Sequence, residues 1–498
     1  MTLYDQIIKQ IQIEADKLSL RHHAYHNALY IENKRKKERS SSPKNLKKVE
    51  RPNYWSKDKK FNPFYVKKNS KAIAYSIADK ISKGTYEPLE VTINQIQKSS
   101  GGYRNVAIYQ IPDAAVSTLF YQRLLSKNKH RFSSYSYAYR DDRNVHFAIQ
   151  DIAVSLSNNS RLFVAEFDFS KFFDTISHDY LYKQFDQNGF FISEEERCVI
   201  KAFLKDRREG IPQGTSISLF LANLACWQLD KNLEREGLQF ARYADDTVIW
   251  STDYTKITKA MEIMSNFSKD VGVKINSSKS EGISILCPHD MKSEFHKYKD
   301  HVEFLGYSLS IDNISIKYTS LIKIKRDISY ILYKHLIQPL KPNILTALKI
   351  PANNRDDALV SALSEIRRYL YGNLSESMLL SYLRGRTNRI FFKGLMSFYP
   401  LINNEEQIRQ LDGWLVNAVF KAIQKRSKLL VAHQQSRRHI FPFNVSRKNY
   451  LKTVLNNEID RADLYQVPSF LRIYKAMQKG LVERGIGGVL NPNKSIYY

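Results

Sequence analysis

The sequence predicts an α+β chain, with an antiparallel sheet in its middle and mostly helices after it. Three observations carry that expectation. Leu238, Phe240 and Ala241 lead into Tyr243-Ala244-Asp245-Asp246, and Val248, Ile249 and Trp250 follow. Apolar flanks around a polar bend read as a strand–turn–strand hairpin with carboxylates at its tip. Upstream, Phe163-Val164-Ala165-Glu166-Phe167-Asp168-Phe169 is apolar and β-prone, and it too ends in an aspartate. After Tyr307 the apolar positions fall at helical spacing, most clearly from Ser320 to Leu340.

The elements follow in chain order. Residues 1–33 read as an amphipathic helix, because Leu3, Ile7, Ile8, Ile11 and Ile13 recur near its period. Arg21-His22-His23-Ala24-Tyr25-His26 has no paired acid or cysteine nearby, so these histidines read as exposed helix residues rather than metal ligands. From Lys34 to Lys60 the chain is basic, bears serines and is broken by Pro43 and Pro52, the composition of a flexible loop or an RNA-contacting arm. Order resumes near Phe61-Asn62-Pro63-Phe64-Tyr65. Tyr103 to Pro112 follows a Gly-Gly turn and alternates like a strand. In Pro212-Gln213-Gly214 proline fixes φ and glycine permits close backbone approach to a ligand. Ser218 to Ala225 reads as a mostly buried helix. Further helical, basic segments lie around Glu365–Gly372 and Leu411–Leu415, and a basic run extends from Lys421 to Arg438.

Charge narrows the partners. There are 77 Lys+Arg against 50 Asp+Glu, a formal net charge of +27, which suits a polyanion bound with a steep salt dependence. The 31 tyrosines and 26 phenylalanines supply faces for base stacking. A membrane-surface role is disfavoured, because the sequence has no long uncharged apolar run and no cleavable N-terminal signal. Cys198, Cys226 and Cys287 stand singly, which gives neither zinc spacing nor a disulfide framework and fits a reducing cytoplasm. A length of 498 residues allows two to four domains.

Burying apolar flanks around Asp245 and Asp246 is costly unless a cation sits between the charges, and hard carboxylate oxygens suit Mg²⁺. If the Asp168 strand is a sheet neighbour of the hairpin, three carboxylates converge. A two-metal phosphoryl-transfer site needs such a set, one ion at the attacking 3′-oxygen and the other at the leaving pyrophosphate.

At this point the chain resembles the reverse transcriptases, through five blocks in order. Phe167–Asp174 resembles the first catalytic block, Gly210–Ser218 the Pro-Gln-Gly block and Tyr243–Asp246 the catalytic hairpin. Gly272–Lys279 resembles the block that follows, and Phe304-Leu305-Gly306-Tyr307 the primer-grip block. Tyr135–Arg140 resembles the Ser-Tyr-Gly-Phe-Arg stretch of group II intron-type enzymes, with Ala138 where those have glycine. Each block alone is weak; the ordered set from Asp168 to Tyr307 is specific.

The resemblance implies a right-hand polymerase with fingers, palm and helical thumb, followed by a helical C-terminal region. Its implied divisions are an N-terminal helix and basic arm at 1–64, fingers with part of the palm at 65–165, and palm at 166–310. Thumb-like helices at 311–400 and a helical basic region at 401–498 complete them. Asp168, Asp245, Asp246 and the Phe169 backbone would hold two Mg²⁺ ions, with Mn²⁺ as a substitute. Lys279 would stand by the departing phosphate as a cation or proton donor. Arg104 would hold the triphosphate, with Lys98 as a second choice. Gln213 and Gly214 would lie under the incoming nucleotide, and Phe173 would be the ring that excludes a 2′-hydroxyl, leaving Phe172 to the core. Arg140 would contact template, and Phe304 to Tyr307 the primer. The implied activity is RNA-templated DNA synthesis from dNTPs. A palm with a long helical region and no nuclease motif looks most like bacterial defence-associated, abortive-infection-type enzymes. That implies an antiphage role in the bacterial cytoplasm, with a dedicated non-coding RNA, a cDNA product, and a homo-oligomer or second defence protein as further partners. The alternative is a group II intron-type maturase or RNA-scaffolding protein that keeps the polymerase fold.

Overall fold

The hairpin around Asp245 forms. In the computed structural model, which describes residues 1–43, 46–98, 101–288, 297–341, 356–432, 446–455 and 466–490, β5 (Gln239–Tyr243) pairs antiparallel with β6 (Asp246–Ser251). Tyr243 lies opposite Asp246, so Ala244 and Asp245 are the whole loop. Two-residue hairpin loops call for positive φ, and Ala244 adopts it at 60° despite its Cβ.

β3 (Leu162–Phe167) runs antiparallel to β6 on one side and to β8 (Gly282–Leu286) on the other. The short β9 (Tyr298–Lys299) extends the sheet in parallel, giving the order β5-β6-β3-β8-β9. The helix Tyr254–Val271 packs on β3, β6 and β8. It buries Ile257, Ala260, Met264, Phe267 and Val271, one stripe at helical spacing. The expected buried helix runs Ile217–Ala225 and buries every side chain but Leu219. Each large apolar side chain sealed this way contributes about 1.5–3 kcal/mol. Two smaller ladders flank the sheet. β4 (Phe169–Ser170) pairs with β7 (Lys274–Ile275), and β1 (Thr92–Gln97) with β2 (Tyr103–Ile108). The strand expected to reach Pro112 ends at Ile108, because a helix starts at Ile111 with Pro112 in its first turn.

The chain divides into two compact units, Met1–Tyr30 with Lys48–Asp300, and Ile31–Lys47 with His301–Tyr498. The first unit holds every element named so far. The second contains a three-stranded antiparallel sheet, β10 (Val302–Phe304), β11 (Tyr307–Leu309) and β12 (Ile314–Ile316). Its helices include Tyr318–Leu332, Asp357–Tyr371, Glu405–Ala432 and Phe470–Val489. Inside it Arg426 and Asp356 form a buried ion pair at 2.8 Å. Asp412 accepts hydrogen bonds from the Ser469 hydroxyl and the Leu471 amide, capping the start of the last helix.

One expectation changes here. The first helix does not stop near residue 33 but runs Leu3–Arg39, into the stretch expected to be loop. Ion pairs at i,i+4, Glu32–Lys36 and Lys34–Glu38, offset the repulsion of the basic run. The basic run expected from Lys421 is helical to Ala432, and its remainder lies outside the described residues. Among the described residues no helix is long and apolar enough to cross a membrane.

Candidate active site

The register of two strands brings the acids together. β3 pairs with β6 as far as Phe167 opposite Thr247, and Asp168 and Asp246 are the residues that flank that last pair, Asp168 just after β3 and Asp246 at the start of β6. Asp245, in the loop, completes the group. Burial first, and then the Asp245, Asp168 and Glu166 carboxylates, push the Asp246 carboxyl up to about 7. Burial also raises Asp245, with Asp168 adding to the rise, while its own backbone N–H, Arg104 and Lys279 pull the other way. Glu166, two residues before Asp168, faces Lys299, which also pairs with Glu281 at 3.4 Å.

Asp168 is held from the opposite side by the turn after β7. Its backbone N–H donates to the Ser280 hydroxyl (3.1 Å), and its carbonyl accepts from the Asn276 amide (2.8 Å). Its carboxylate accepts from Asn276 Nδ2 at 2.8 Å and pairs with Lys279 Nζ at 3.1 Å. Lys279 therefore does reach the acidic cluster, but through Asp168. The four-donor metal set expected from Asp168, Phe169, Asp245 and Asp246 is not a preformed cage. Among the described residues no three His, Cys, Asp or Glu side chains gather as one. Asn276 and Lys279 both bind one oxygen of the Asp168 carboxylate, Oδ2. The donor chemistry itself fits a hard divalent cation, since half-buried carboxylates with raised proton affinity lack positive charge.

Beneath the hairpin lies a residue that sequence reasoning missed. Arg242 is fully buried and forms a bidentate pair with fully buried Asp230, both bonds 2.6 Å. Burial works against the cation, but the facing Asp230 outweighs it and holds Arg242 charged. Its other donors reach the Ala244 carbonyl (3.0 Å) and the Ser136 hydroxyl (2.7 Å), fixing the loop that carries Asp245. A charged residue in a strand of Phe240, Ala241 and Tyr243 demands a buried partner, and that was the available signal.

The Pro-Gln-Gly loop docks on two neighbours. The Ile211 amide donates to the Phe173 carbonyl (2.6 Å), and Gln213 Nε2 donates to Asp174 Oδ1 (3.2 Å). Gly214 was expected to let the backbone approach a ligand. It is instead needed by the β1–β2 hairpin: φ is 106°, and a Cβ there would lie 2.3 Å from the Ala107 carbonyl oxygen. The Ala107 amide donates to the Gln213 carbonyl at 2.8 Å. That junction places β2, with exposed Arg104, close enough to Asp245 to stabilise its charge.

Phe172 is buried and Phe173 half-buried, edge-on to Phe172 (82°) and to Tyr139 (83°). Arg140, expected at the template, is turned inward with its side chain 4% exposed. It donates to the Ser133 carbonyl (2.6 Å), the Ser136 carbonyl (3.3 Å) and the Asp142 carboxylate (2.8 Å), leaving it to hold its own loop. Phe304, Leu305, Gly306 and Tyr307, expected to contact the primer, lie in the second unit, not in the sheet that carries the acids. Phe304 and Tyr307 are buried at 1% and 0% exposure, Tyr307 donating to the Phe398 carbonyl. Leu305 and Gly306 form the hairpin tip, both at positive φ and both half-buried.

Residues 96–309 match the family described as reverse transcriptase (RNA-dependent DNA polymerase). The chain carries a reverse transcriptase domain. All the acids just described fall inside it. Protein YkfC of Escherichia coli (strain K12) is 28% identical over 176 residues, 32% of this chain and 45% of that protein. The retron Ec86 reverse transcriptase of Escherichia coli is 29% identical over 126 residues, 24% of this chain and 37% of that enzyme. The chain thus spans less than half the length of either relative. Telomerase from Candida albicans, solved with a TWJ fragment of telomeric RNA, is 13% identical, with a TM-score of 0.35 over 73% of this chain and 68% of that one. The corresponding Candida tropicalis complex is 15% identical, with a TM-score of 0.37 over 84% and 65%. Scores at that level add nothing to the assignment.

Proposed function

We propose that this reverse transcriptase domain is an active RNA-templated DNA polymerase. The observation that supports the reading is the pairing of β3 with β6 up to Phe167 and Thr247, the residues next to Asp168 and Asp246, with Asp168 coupled electrostatically to Asp246 and to the loop acid Asp245. In this reading Asp168, Asp245, Asp246 and the Phe169 carbonyl hold Mg²⁺, which when bound supplies Lewis acidity at the 3′-oxygen and at the departing pyrophosphate. Arg104, exposed on β2 and electrostatically coupled to Asp245, binds the triphosphate through its guanidinium. Lys279 moves its ammonium from Asp168 to the leaving phosphate and neutralises the charge released there. Phe173 packs against the sugar and leaves no room for a 2′-hydroxyl. Gln213, hydrogen-bonded to Asp174 beside Phe173, lines the same nucleotide site.

One observation favours the scaffolding alternative: Lys279 already satisfies Asp168 without an ion. Purified chain with Mg²⁺, dTTP and poly(rA)·oligo(dT) decides between the two. Extension by the wild type and none by Asp245→Ala with Asp246→Ala supports the polymerase. Extension by the double variant overturns the site. An inert wild type that binds RNA with a steep salt slope supports the scaffold.

The finer proposal is an antiphage role with a dedicated non-coding RNA, supported by the long helical region after the sheet. Cells expressing the chain should plate phage less efficiently than cells expressing the double variant, and one RNA should co-purify. Equal plating over a broad phage panel removes the defence role.

A further inference from the structure

A bulky side chain in the left-handed region is rare and marks a place where the surroundings dictate the backbone. Tyr139 sits there at φ 58°. Its loop is tied down on every side. Tyr137 and Ala138 before it are 1% and 0% exposed, and Arg140 after it is spent on the Ser133 and Ser136 carbonyls. The Ala138 carbonyl accepts from Asn223 Nδ2 (2.8 Å), and the Tyr139 carbonyl from the Tyr121 hydroxyl (2.9 Å). Arg242 holds the Ser136 hydroxyl, and its carbonyl accepts from the Tyr137 amide at 3.0 Å. With Tyr137 and Ala138 buried, Tyr139 is left half-exposed. It lies edge-on to Phe173 at 6.4 Å and tilted against Tyr243, also at 6.4 Å. Phe173 thus meets two rings edge-on, the buried Phe172 at 5.8 Å and Tyr139 at 6.4 Å.

We propose that Tyr139 is a positioning residue for sugar selection: it is the second ring of a two-ring gate, holding Phe173 where the ring meets the nucleotide's 2′ position. The inference rests on reading Phe173 as the gate. Edge-to-face contact favours one ring orientation, and Tyr139 adds a second such contact to the one Phe172 makes. Without the Tyr139 ring, Phe173 can swing away from Phe172 and make room for a hydroxyl. Tyr139 acts through Phe173, so its loss moves selectivity more than turnover.

The test measures kcat/KM for dTTP and for UTP on poly(rA)·oligo(dT) with Mg²⁺, using the full chain. Tyr139→Asn removes the ring while tolerating positive φ, and should lower the dTTP/UTP ratio at least about tenfold. Tyr139→Phe keeps the ring and should stay within about threefold of wild type. Should the Asn variant melt early, Tyr139→His, which also tolerates positive φ and carries a smaller ring, serves in its place. Phe173→Val reads the gate itself. A wild-type ratio in Tyr139→Asn alongside a lowered ratio in Phe173→Val overturns the role of Tyr139 and leaves the gate standing. A wild-type ratio in Phe173→Val removes the gate, and the two-ring device with it.

Discussion

Replacing Asp230 by asparagine tests the support beneath the Ala244-Asp245 loop. Arg242 and Asp230 are both 0% exposed and joined by two 2.6 Å bonds. The substitution keeps shape and volume but leaves a guanidinium charged, buried and without a counter-ion. Breaking a buried pair from one side costs about 3–5 kcal/mol, a large share of the ~5–15 kcal/mol that holds a domain folded. With a urea slope of about 2 kcal/mol/M, the midpoint of unfolding followed by circular dichroism should fall by about 2 M. A second arm separates stability from positioning. Arg242→Met with Asp230→Leu removes both charges, and apolar replacement of a buried pair is commonly neutral or stabilising. That variant should regain most of the stability yet remain deficient in nucleotide incorporation, because nothing then holds the Ala244 carbonyl at its strained φ of 60°. If Asp230→Asn unfolds within about 0.5 kcal/mol of wild type, the pair is not desolvated as described and the reasoning fails.

Other positions give separate tests. Gly214→Ala would put a Cβ 2.3 Å from the Ala107 carbonyl oxygen, so the β1–β2 hairpin should detach; faster limited proteolysis near residues 92–108 and a severalfold rise in KM for dNTP are expected. An unchanged cleavage pattern would show that the junction is not needed. Asp113 is 1% exposed and burial raises it to about 6 from 3.8. A raised carboxyl stabilises the fold at low pH, and that contribution is lost as pH rises through about 6, a fall of about 3 kcal/mol for this group. Asp113→Asn should flatten that slope in urea melts between pH 4 and 6.5; an identical slope would refute it. Asp246 must shed a proton held up to about 7 before it can ligate, so Mg²⁺ affinity by calorimetry should drop about tenfold for each pH step below that point. Affinity independent of pH from 5.5 to 7.5 would count against Asp246 as a ligand.

Much of this protein was legible before any coordinates. Asp168, Asp245 and Asp246 could be picked out because charged residues in apolar, β-prone surroundings are locally anomalous, and the hairpin and the buried helix at 217–225 followed from alternation and apolar density. Phe172 and Phe173 separated into a buried and a half-buried ring as expected. The misreadings share one cause. Arg140 looked like a nucleic-acid contact, because a sequence does not say whether a guanidinium faces solvent or its own loop's carbonyls. Gly214 did require close approach, but to Ala107, more than a hundred residues upstream. Phe304 and Tyr307 carry a recognisable pattern, yet the β10–β12 sheet buries them.

The amino-acid order by itself determined the strands and where charged residues stand in them, since period-two alternation and stranded charge are properties of short windows. Only the folded chain decided which acids become neighbours. The partners of Asp168 lie 108 and 112 residues away, at Asn276 and Ser280, and those of Arg242 include Ser136, 106 residues upstream. Contacts at that separation are set by strand register and helix packing. A slip of one residue between β3 and β6 would turn Asp168 to the other face of the sheet without altering any local pattern.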